Sequence, residues 1–249
     1  MTQNRTKTAH PKQWALMMSG LLAATLVAGC LDMDGNEPPQ AVLEADKETG
    51  EVGDTFRFDA TKSNDPDGNL SLIRLDFGDG TVKEFYEPSE ANVTHSYTDP
   101  GDFTVTLTVL DNAGDEPEAD SDQAEVFVNE KIPVSAQVAS VAPPGGTVST
   151  FANQTFNATD EANSFQVNLS VQSVLVVGET QISVRVVDSN GTELANESVS
   201  IPAGGNKTIS FDKLVGAPGA HVLEIMARQG SARVTGDILV RYDESGPAA

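Results

Sequence analysis

The sequence predicts an all-β protein with two Ig-like β-sandwich domains in tandem behind an N-terminal export signal. Three observations predict this arrangement. The chain has 249 residues, enough for one or two domains. From Pro38 onward, short segments such as Phe103–Leu110 alternate apolar with polar residues, and Gly, Pro, Asn and Asp separate them. Hydrophobic residues make up 39% of the chain, which is typical of folded domains and not of disordered ones.

The charge and the cysteine count exclude several classes of function. The chain has 37 acidic residues against 15 basic ones, a formal net charge of −22. Such an excess of carboxylates repels phosphate backbones, so nucleic acid is excluded as a partner. A single cysteine excludes a disulfide framework and any cysteine-based zinc or iron–sulfur site. With three histidines in all, a metal site would need oxygen ligands.

The first 29 residues have the pattern of a secretory signal peptide. Arg5, Lys7 and Lys12 precede an apolar run from Trp14 to Gly29, and the run ends in small residues. A transmembrane helix is the alternative interpretation. The run has 16 residues, however, whereas a helix needs about 20 to cross the bilayer core. We therefore predict export and removal of residues 1–29.

The single cysteine ends this run in the sequence Val-Ala-Gly-Cys, residues 27–30. This sequence resembles the lipobox of lipoproteins, which implies cleavage before Cys30 and covalent lipid on its sulfur. A free structural cysteine is the alternative, and the position at the end of the apolar run disfavours it. No twin-arginine pair precedes the run, which favours the general secretory route. Residues 30–37 are then an acidic tether, and the protein is lipid-anchored at the extracellular face of the cytoplasmic membrane.

The mature chain divides into two domains of unequal charge. Glu125–Val128 ends one set of predicted strands and Pro133 begins the next, so we predict domains over residues 38–129 and 130–243. The first has 22 acidic and five basic residues, and most of the net charge lies there. The last residues, 244–249, are expected to be a disordered tail.

Three motifs in the first domain point to a known family. SNDPDGN occupies residues 63–69, DFGDG residues 76–80, and HSYTDPGDFTVTLTVLDNAG residues 95–114. In this order and spacing they resemble the PKD domain, an Ig-like β-sandwich common in extracellular proteins of archaea and bacteria. The resemblance covers about residues 38–129. It implies a spacer or interaction module.

Two side chains of the third motif are predicted to be structural. Tyr97 stands just before a long strand, where a buried ring with its hydroxyl bonded to backbone would fix a corner of a sandwich. His95 lies two residues earlier on the same side of its strand. We interpret it as a hydrogen-bonded structural histidine and not as a ligand or base.

Asp65, Asp67 and Asp111 are the candidate metal ligands. In an Ig-like topology the loop with Asp65 and Asp67 lies at the same pole as the strand end with Asp111, and Pro39–Ala41 begins the first strand there. Carboxylates with backbone carbonyls form an oxygen-rich site suited to calcium, and similar sites occur in some PKD domains. The alternative is that these residues only stabilise Asx turns. The acidic stretch Glu116–Asp122 is interpreted as a solvated loop.

The second domain is predicted to contain about eight strands. Three of them are Ile182–Asp188, Val222–Ala227 and a last strand from Arg233 to Tyr242. A Ser-Asn-Gly turn at residues 189–191 follows the first of these. His221 is interpreted as a residue at the start of a strand.

Asn-x-Ser/Thr sequons are unusually dense in the mature chain. They predict glycosylation, although Asn, Ser and Thr are also common in turns and on exposed strands. Together with a lipobox they point to an archaeal surface. The predicted sites are Asn69, Asn92, Asn153, Asn157, Asn168, Asn190, Asn196 and Asn206.

These features predict a non-catalytic, lipid-anchored surface protein acting in adhesion, envelope organisation or binding of protein or polysaccharide. Its partners would be the membrane, through the lipid on Cys30, and a surface protein or polysaccharide; calcium is its candidate cofactor. The alternative is a carbohydrate- or protein-binding accessory subunit of a secreted hydrolase or transport system, which the scarcity of Trp and Tyr disfavours. No GxSxG, HExxH or glycine-rich phosphate loop supports an enzyme.

Overall fold

Strands account for most of the residues that the computed structural model describes, which are 36–112, 117–141, 148–159 and 162–242. The predicted signal peptide, Cys30, most of the tether and the predicted tail lie outside these ranges. Within them the only helix is the short 3₁₀ turn Pro88–Glu90. No helix of the described ranges is long and apolar enough to cross a bilayer. The all-β prediction is confirmed.

The first β-sandwich packs a three-stranded sheet, β1-β3-β6, against a five-stranded sheet, β2-β8-β7-β4-β5. Among the described strands of this sandwich, only β2 and β8 pair in parallel. Its strands are β1 (Glu44–Ala45), β2 (Thr49–Glu51), β3 (Thr55–Asp59), β4 (Leu70–Asp76), β5 (Val82–Phe85), β6 (Asn92–Ser96), β7 (Gly101–Asp111) and the first part of β8 (Ala119–Val141).

The core of this sandwich follows from the period-2 pattern. In β7, Val105, Leu107 and Val109 have no exposed surface, and the threonines between them point to the other face. Phe56, Phe58, Phe77 and Tyr97 fill the space between the sheets. Burial of these apolar side chains is the main force that holds the two sheets together.

In the described residues the second β-sandwich has eight strands when the second part of β8 is included, which agrees with the prediction. One sheet has the order β14-β11-β15-β8-β9 and the other β10-β15-β12-β13. The strands are β9 (Val148–Ser149), β10 (Phe151–Ala158), β11 (Ser164–Ser173), β12 (Glu179–Val187), β13 (Glu193–Pro202), β14 (Asn206–Leu214) and β15 (Gly219–Arg241). The core includes Val167, Leu169 and Ile182.

Strand β8 passes without a break through the predicted boundary at residues 129–133. Its first part pairs with β7, and Glu130–Ser140 pair with β15 of the second sandwich. The buried core changes at this point, from Val128 in one cluster to Val134 in the other. Pro133 does not interrupt the strand because β8 is an edge there: on its other side β9 pairs only with residues 140 and 141. The two sandwiches are therefore joined by a strand and not by a flexible linker.

Strand β15 corrects the prediction of separate strands over Val222–Ala227 and Arg233–Tyr242. It is one strand of 23 residues that passes from one sheet of the second sandwich to the other. The change of sheet occurs at Gly230, which has a φ of 74°. A Cβ at Gly230 would lie 2.7 Å from Thr180 Oγ1. The Thr180 hydroxyl in turn donates to Ser231 O at 3.2 Å. The sequence predicts two strands here because no local pattern shows that pairing continues between Ala227 and Arg233.

Gly236 allows β11 and β15 to approach closely in the middle of a sheet. A Cβ at this position would lie 2.0 Å from the backbone oxygen of Asn168. Backbone atoms in a central strand cannot move aside without loss of ladder hydrogen bonds, so a side chain is not tolerated here.

We predict that Gly236→Ala destabilises the protein by about 1–3 kcal/mol or more, because the methyl group forces β11 and β15 apart. The measurement is the free energy of unfolding by urea titration. Gly101→Ala is the matched control, since its Cβ would make ordinary 3.5 Å contacts with Phe103. Equal stability of the Gly236→Ala and Gly101→Ala proteins would contradict the prediction.

Candidate functional site

The predicted metal ligands lie at one pole of the first sandwich. Leu70, which follows the loop with Asp65 and Asp67, pairs with Asp111 at the end of β7. Gln40 forms an isolated bridge with Asn64, so the beginning of the described chain reaches the same pole. The predicted convergence of these three segments is confirmed, and it follows from the sandwich topology alone.

Asp65 has one bonded and one unbonded carboxylate oxygen. Asp65 Oδ1 accepts a hydrogen bond from Asp67 N at 3.3 Å, which is the Asx turn considered as an alternative. Asp65 Oδ2 is shielded from solvent and has no hydrogen-bond partner among the described residues. A Cβ on Gly68 would lie 2.5 Å from Asp65 Oδ2 and 3.0 Å from Asn112 Oδ1. The glycine therefore leaves space beside two side-chain oxygens, one of which lacks a donor.

Asp67 and Asp111 bind the beginning of the described chain. Glu37 N donates to both carboxylate oxygens of Asp67 at 3.2 Å, and Asn36 Nδ2 donates to Asp111 Oδ2 at 2.8 Å. Asp111 is fully buried, and its Oδ1 accepts from Glu118 N at 3.0 Å. The predicted tether includes Asn36 and Glu37, but the structure places them against the sandwich.

The donor chemistry of this pole fits a hard cation. The side chains at this pole have oxygen atoms, and oxygen is the ligand that calcium prefers. These side chains are Asp65, Asp67, Asp111, Asn36 and Asn112. In the described ranges no three His, Cys, Asp or Glu side chains are grouped closely enough to hold a metal ion. Asp67 and Asp111 accept hydrogen bonds from Glu37 N and Asn36 Nδ2. Calcium binding therefore stays a prediction, and the unbonded Asp65 Oδ2 is the feature in its favour.

Two acidic residues of the predicted solvated loop belong to a strand instead. Asp120 and Asp122 lie on β8, where Asp120 Oδ2 accepts from Ala41 N at 2.9 Å and Asp122 Oδ2 accepts from Leu43 N at 2.8 Å. Their side chains satisfy backbone donors that have no strand partner at this point. The solvated-loop interpretation was wrong for these two residues. The acidic residues at every second position were the available signal, since that spacing places them on one face of a strand.

The DFGDG and HSY motifs form one structural network. The Tyr97 hydroxyl donates to Phe77 O at 3.0 Å, and its ring stacks on Phe103 with centroids 4.2 Å apart. Burial raises the pKa of Tyr97, and the nearby carboxylate of Asp79 raises it further. The prediction that Tyr97 fixes a corner through a backbone hydrogen bond is confirmed. His95 stacks on Phe77 at 4.2 Å, and its Nε2 lies 2.7 Å from Asp79 Oδ2.

Asp79 is the charged centre of this network. Burial alone would raise its pKa, but hydrogen bonds from Thr81 N and from His95 outweigh this effect, so its pKa lies below the usual value. A carboxylate with a lowered pKa stabilises the folded state above the pKa of the unfolded chain. That stabilisation is lost as the pH falls through the folded-state value. The motif therefore makes the first sandwich sensitive to acid.

We predict that Asp79→Asn lowers the melting temperature at pH 6 and that the difference from the wild type shrinks as the pH falls below about 4, where the unfolded carboxyl group is protonated. The measurement is thermal unfolding at a series of pH values from 6 to below 3. Asp99→Asn, at an exposed position in a turn, is the control. A difference between wild type and Asp79→Asn that is constant over this range would contradict the assignment.

The second histidine of the described ranges, His221, is inaccessible to solvent. His221 has no exposed surface and lies against the rings of Phe156 and Phe165, with centroids 5.2 and 5.0 Å away. It is the third residue of β15, as its interpretation near a strand start implies. His221 Nδ1 lies 2.9 Å from Gly219 O. Its environment gives it a packing role and no contact with solvent.

All eight predicted sequon asparagines lie at or near the surface. Asn92 and Asn168 are partly buried, and Asn92 Nδ2 donates to Asp59 Oδ2 at 2.8 Å. The others are exposed, which any glycosylated asparagine requires. Glycosylation stays a prediction at each position. The exposed set is Asn69, Asn153, Asn157, Asn190, Asn196 and Asn206.

The sequence model of the PKD domain family matches residues 36–126. The first sandwich is a PKD domain. The match covers less than half of the chain and begins at Asn36, within the predicted tether.

The chain is also similar to part of a larger protein and to solved structures. Collagenase ColA of Clostridium perfringens is 39% identical over 83 residues, which are 33% of this chain and 7% of that protein. The chain thus spans less than a tenth of the length of this relative. The PKD1 domain of Vibrio anguillarum Epp is 29% identical, with a TM-score of 0.29, and the match covers 37% of this chain and 98% of that domain. A carbohydrate-binding module of the β-sandwich superfamily is 16% identical, with a TM-score of 0.37, over 84% of this chain and 99% of that module.

Proposed function

We propose that the protein is a non-catalytic binding protein of the extracellular surface, anchored by lipid on Cys30, and that its two sandwiches bind a surface protein or polysaccharide. The PKD match over residues 36–126 is the main support, because this family is common in extracellular proteins. The signal-peptide pattern that precedes the PKD domain agrees with export. A function in adhesion or envelope organisation requires a projecting, stable body, and a strand that joins two sandwiches provides one.

The lipid anchor rests on the position of the only cysteine. Cys30 ends the predicted apolar run, and the first described residues, Asn36 and Glu37, are already bound to the PKD domain. Only five residues therefore separate the proposed lipid from the folded domain, which would hold the PKD domain close to the membrane. A single acyl chain gives marginal binding and two chains give stable anchoring, so we propose a modification with two chains.

We predict that Cys30→Ser moves the protein from the membrane fraction to the medium or leaves it unprocessed, because serine has no sulfur to accept lipid. The measurement is incorporation of a labelled lipid precursor together with membrane fractionation. Met33→Ser is the matched control, since it changes a neighbour and keeps the cysteine. Lipid labelling of the Cys30→Ser protein would contradict the anchor.

The binding function itself is tested with isolated cell-envelope material. The full chain is expected to sediment with envelope fractions. The control is a protein of the same net charge and an unrelated fold, which is expected to stay in the supernatant. Lack of sedimentation at low and at physiological salt would contradict a binding role.

We also propose that the pole around Asp65 binds calcium. Asp65, Asp67 and Asp111 would supply carboxylate oxygens, and Asn36 and Asn112 amide oxygens. The support is Asp65 Oδ2, which is shielded and has no donor among the described residues, beside the space that Gly68 leaves. A bound cation would also neutralise part of the negative charge of the first sandwich. Calcium would thereby fix the beginning of the described chain, at Asn36, to the rest of the PKD domain.

We predict that calcium raises the melting temperature of the full chain. A concentration about 100-fold above the dissociation constant adds about 2.7 kcal/mol of stability. The measurement is thermal unfolding in millimolar calcium and in chelator. Asp65→Asn should abolish the shift, and Asp99→Asn should retain it. Equal melting temperatures with calcium and with chelator would rule the site out.

An accessory role in a secreted hydrolase or transport system is the second candidate. The similarity of the PKD domain to a part of a collagenase favours it. In that case the protein would bind the substrate or the enzyme rather than a constituent of its own envelope. Co-purification with a secreted hydrolase, in place of sedimentation with envelope fractions, distinguishes the two roles.

A further inference from the structure

The outer face of one sheet of the second sandwich has a depression with an ordered set of polar side chains. The sheet is β10-β15-β12-β13, and the depression has a volume of about 370 Å³. Ligand pockets usually measure about 300–1,000 Å³, so this one has room for a small ligand or a segment of a chain. Its position on regular strands makes it part of the rigid body of the sandwich.

Neighbouring strands place polar residues in a row across this face. Asn153 of β10 is opposite Glu224 of β15, Glu224 is opposite Arg185 of β12, and Arg185 is opposite Asn196 of β13. Strands lie about 4.8 Å apart, so the row extends over roughly 14 Å. The row thus presents amide, carboxylate and guanidinium groups in a line.

The charged groups of this row are held in place. Arg185 Nε and Nη2 donate to Glu224 Oε2 at 2.9 and 2.6 Å, and Arg185 Nη1 lies 3.8 Å from Glu193 Oε2. These contacts fix the plane of the guanidinium group before any ligand binds. Preorganised side chains lose less conformational entropy when a ligand binds.

A second row provides apolar surface beside the polar one. Phe151 is opposite Met226, and Met226 is opposite Ser183. Phe151 is 65% exposed and Met226 is 38% exposed. The exposed face of an aromatic ring beside polar groups can pack against the C–H groups of a sugar ring.

We infer that this depression binds an uncharged polysaccharide chain, with Phe151 stacking on a sugar ring and the row from Asn153 to Asn196 bonding to hydroxyl groups. This inference rests on the proposed binding function and names its site and ligand class. The lining residues Arg185, Arg228, Glu193 and Glu224 sum to no net charge, although the chain as a whole has a charge of −22. A sugar hydroxyl both donates and accepts, so it matches a surface that offers both kinds of group.

A protein partner fits this face less well. Protein interfaces depend on several buried aromatic or arginine anchors in an apolar centre. Here Phe151 and Met226 are the apolar side chains of the depression, and Arg185 is already paired with glutamate. Binding of a protein at this face is therefore an outcome of the test that counts against the inference.

The inference also makes a specific statement about glycosylation. Asn153 and Asn196, two of the predicted sequon sites, lie in the depression. A glycan on either one would fill the space that the ligand needs. The inference therefore requires both asparagines to be unmodified in the secreted protein, whatever the state of the other sequons.

The test is calorimetric titration of the full chain with uncharged hexasaccharides of glucose, mannose, galactose and N-acetylglucosamine. Binding of at least one is expected, and Phe151→Ala and Arg185→Gln should each weaken it by about tenfold or more. Tyr86→Ala and Arg233→Gln are the matched controls. Tyr86 is as exposed as Phe151, at 66%, but lies in the first sandwich, and Arg233 is an exposed arginine in the other sheet.

Three results would overturn the inference. The first is that no hexasaccharide binds at millimolar concentration while the chain still sediments with envelope fractions. This result would leave the proposed function intact. The second is binding that the Phe151 and Arg185 variants do not weaken more than the controls do. The third is a glycan on Asn153 or Asn196 in mass spectra of the secreted protein. Failure of both sugar binding and envelope sedimentation would remove the proposed function as well.

Discussion

The pairing of β8 with β15 is the interaction on which the rest of the structure depends. Eleven residues of β8, Glu130–Ser140, pair with Gly230–Val240 of β15. Each of these strands also continues beyond the pair, β8 into the PKD domain and β15 into the second sheet of its own sandwich. The hydrogen-bonded ladder therefore joins both sandwiches, and the two cores are positioned by backbone geometry. Asn129 strengthens the junction, since its Oδ1 accepts from Tyr242 N at 2.9 Å.

The acidity of the first sandwich has a structural use. Asp67, Asp111, Asp120 and Asp122 accept hydrogen bonds from the segment between Asn36 and Leu43. These bonds replace strand pairing for a part of the chain that has little of its own. Charged acceptors form stronger hydrogen bonds than neutral ones, so a short segment can be held firmly. The excess of carboxylates thus attaches the beginning of the described chain, in addition to repelling polyanions.

The sequence was sufficient to predict the fold class, the PKD domain and the pole at which Asp65, Asp67 and Asp111 lie, because period-2 alternation and short motifs are local signals. The sequence was insufficient where pairing between distant strands determines the course of a strand or the position of a side chain. The course of β15 through Gly230 depends on Thr180, 50 residues earlier, and no local pattern reports that contact. The row across the second sandwich joins side chains from four strands, so only the register reveals it.

The unbroken course of β8 has a mechanical consequence. A pull between Asn36 and a ligand held on the second sandwich would act along the length of this strand. Antiparallel hydrogen bonds run perpendicular to their strands, so such a pull loads the β8–β15 pairs in shear, where many bonds resist together. Peeling, in which bonds break one after another, would require a force across the strands instead. The junction between the sandwiches is thus suited to withstand tension rather than to act as a hinge.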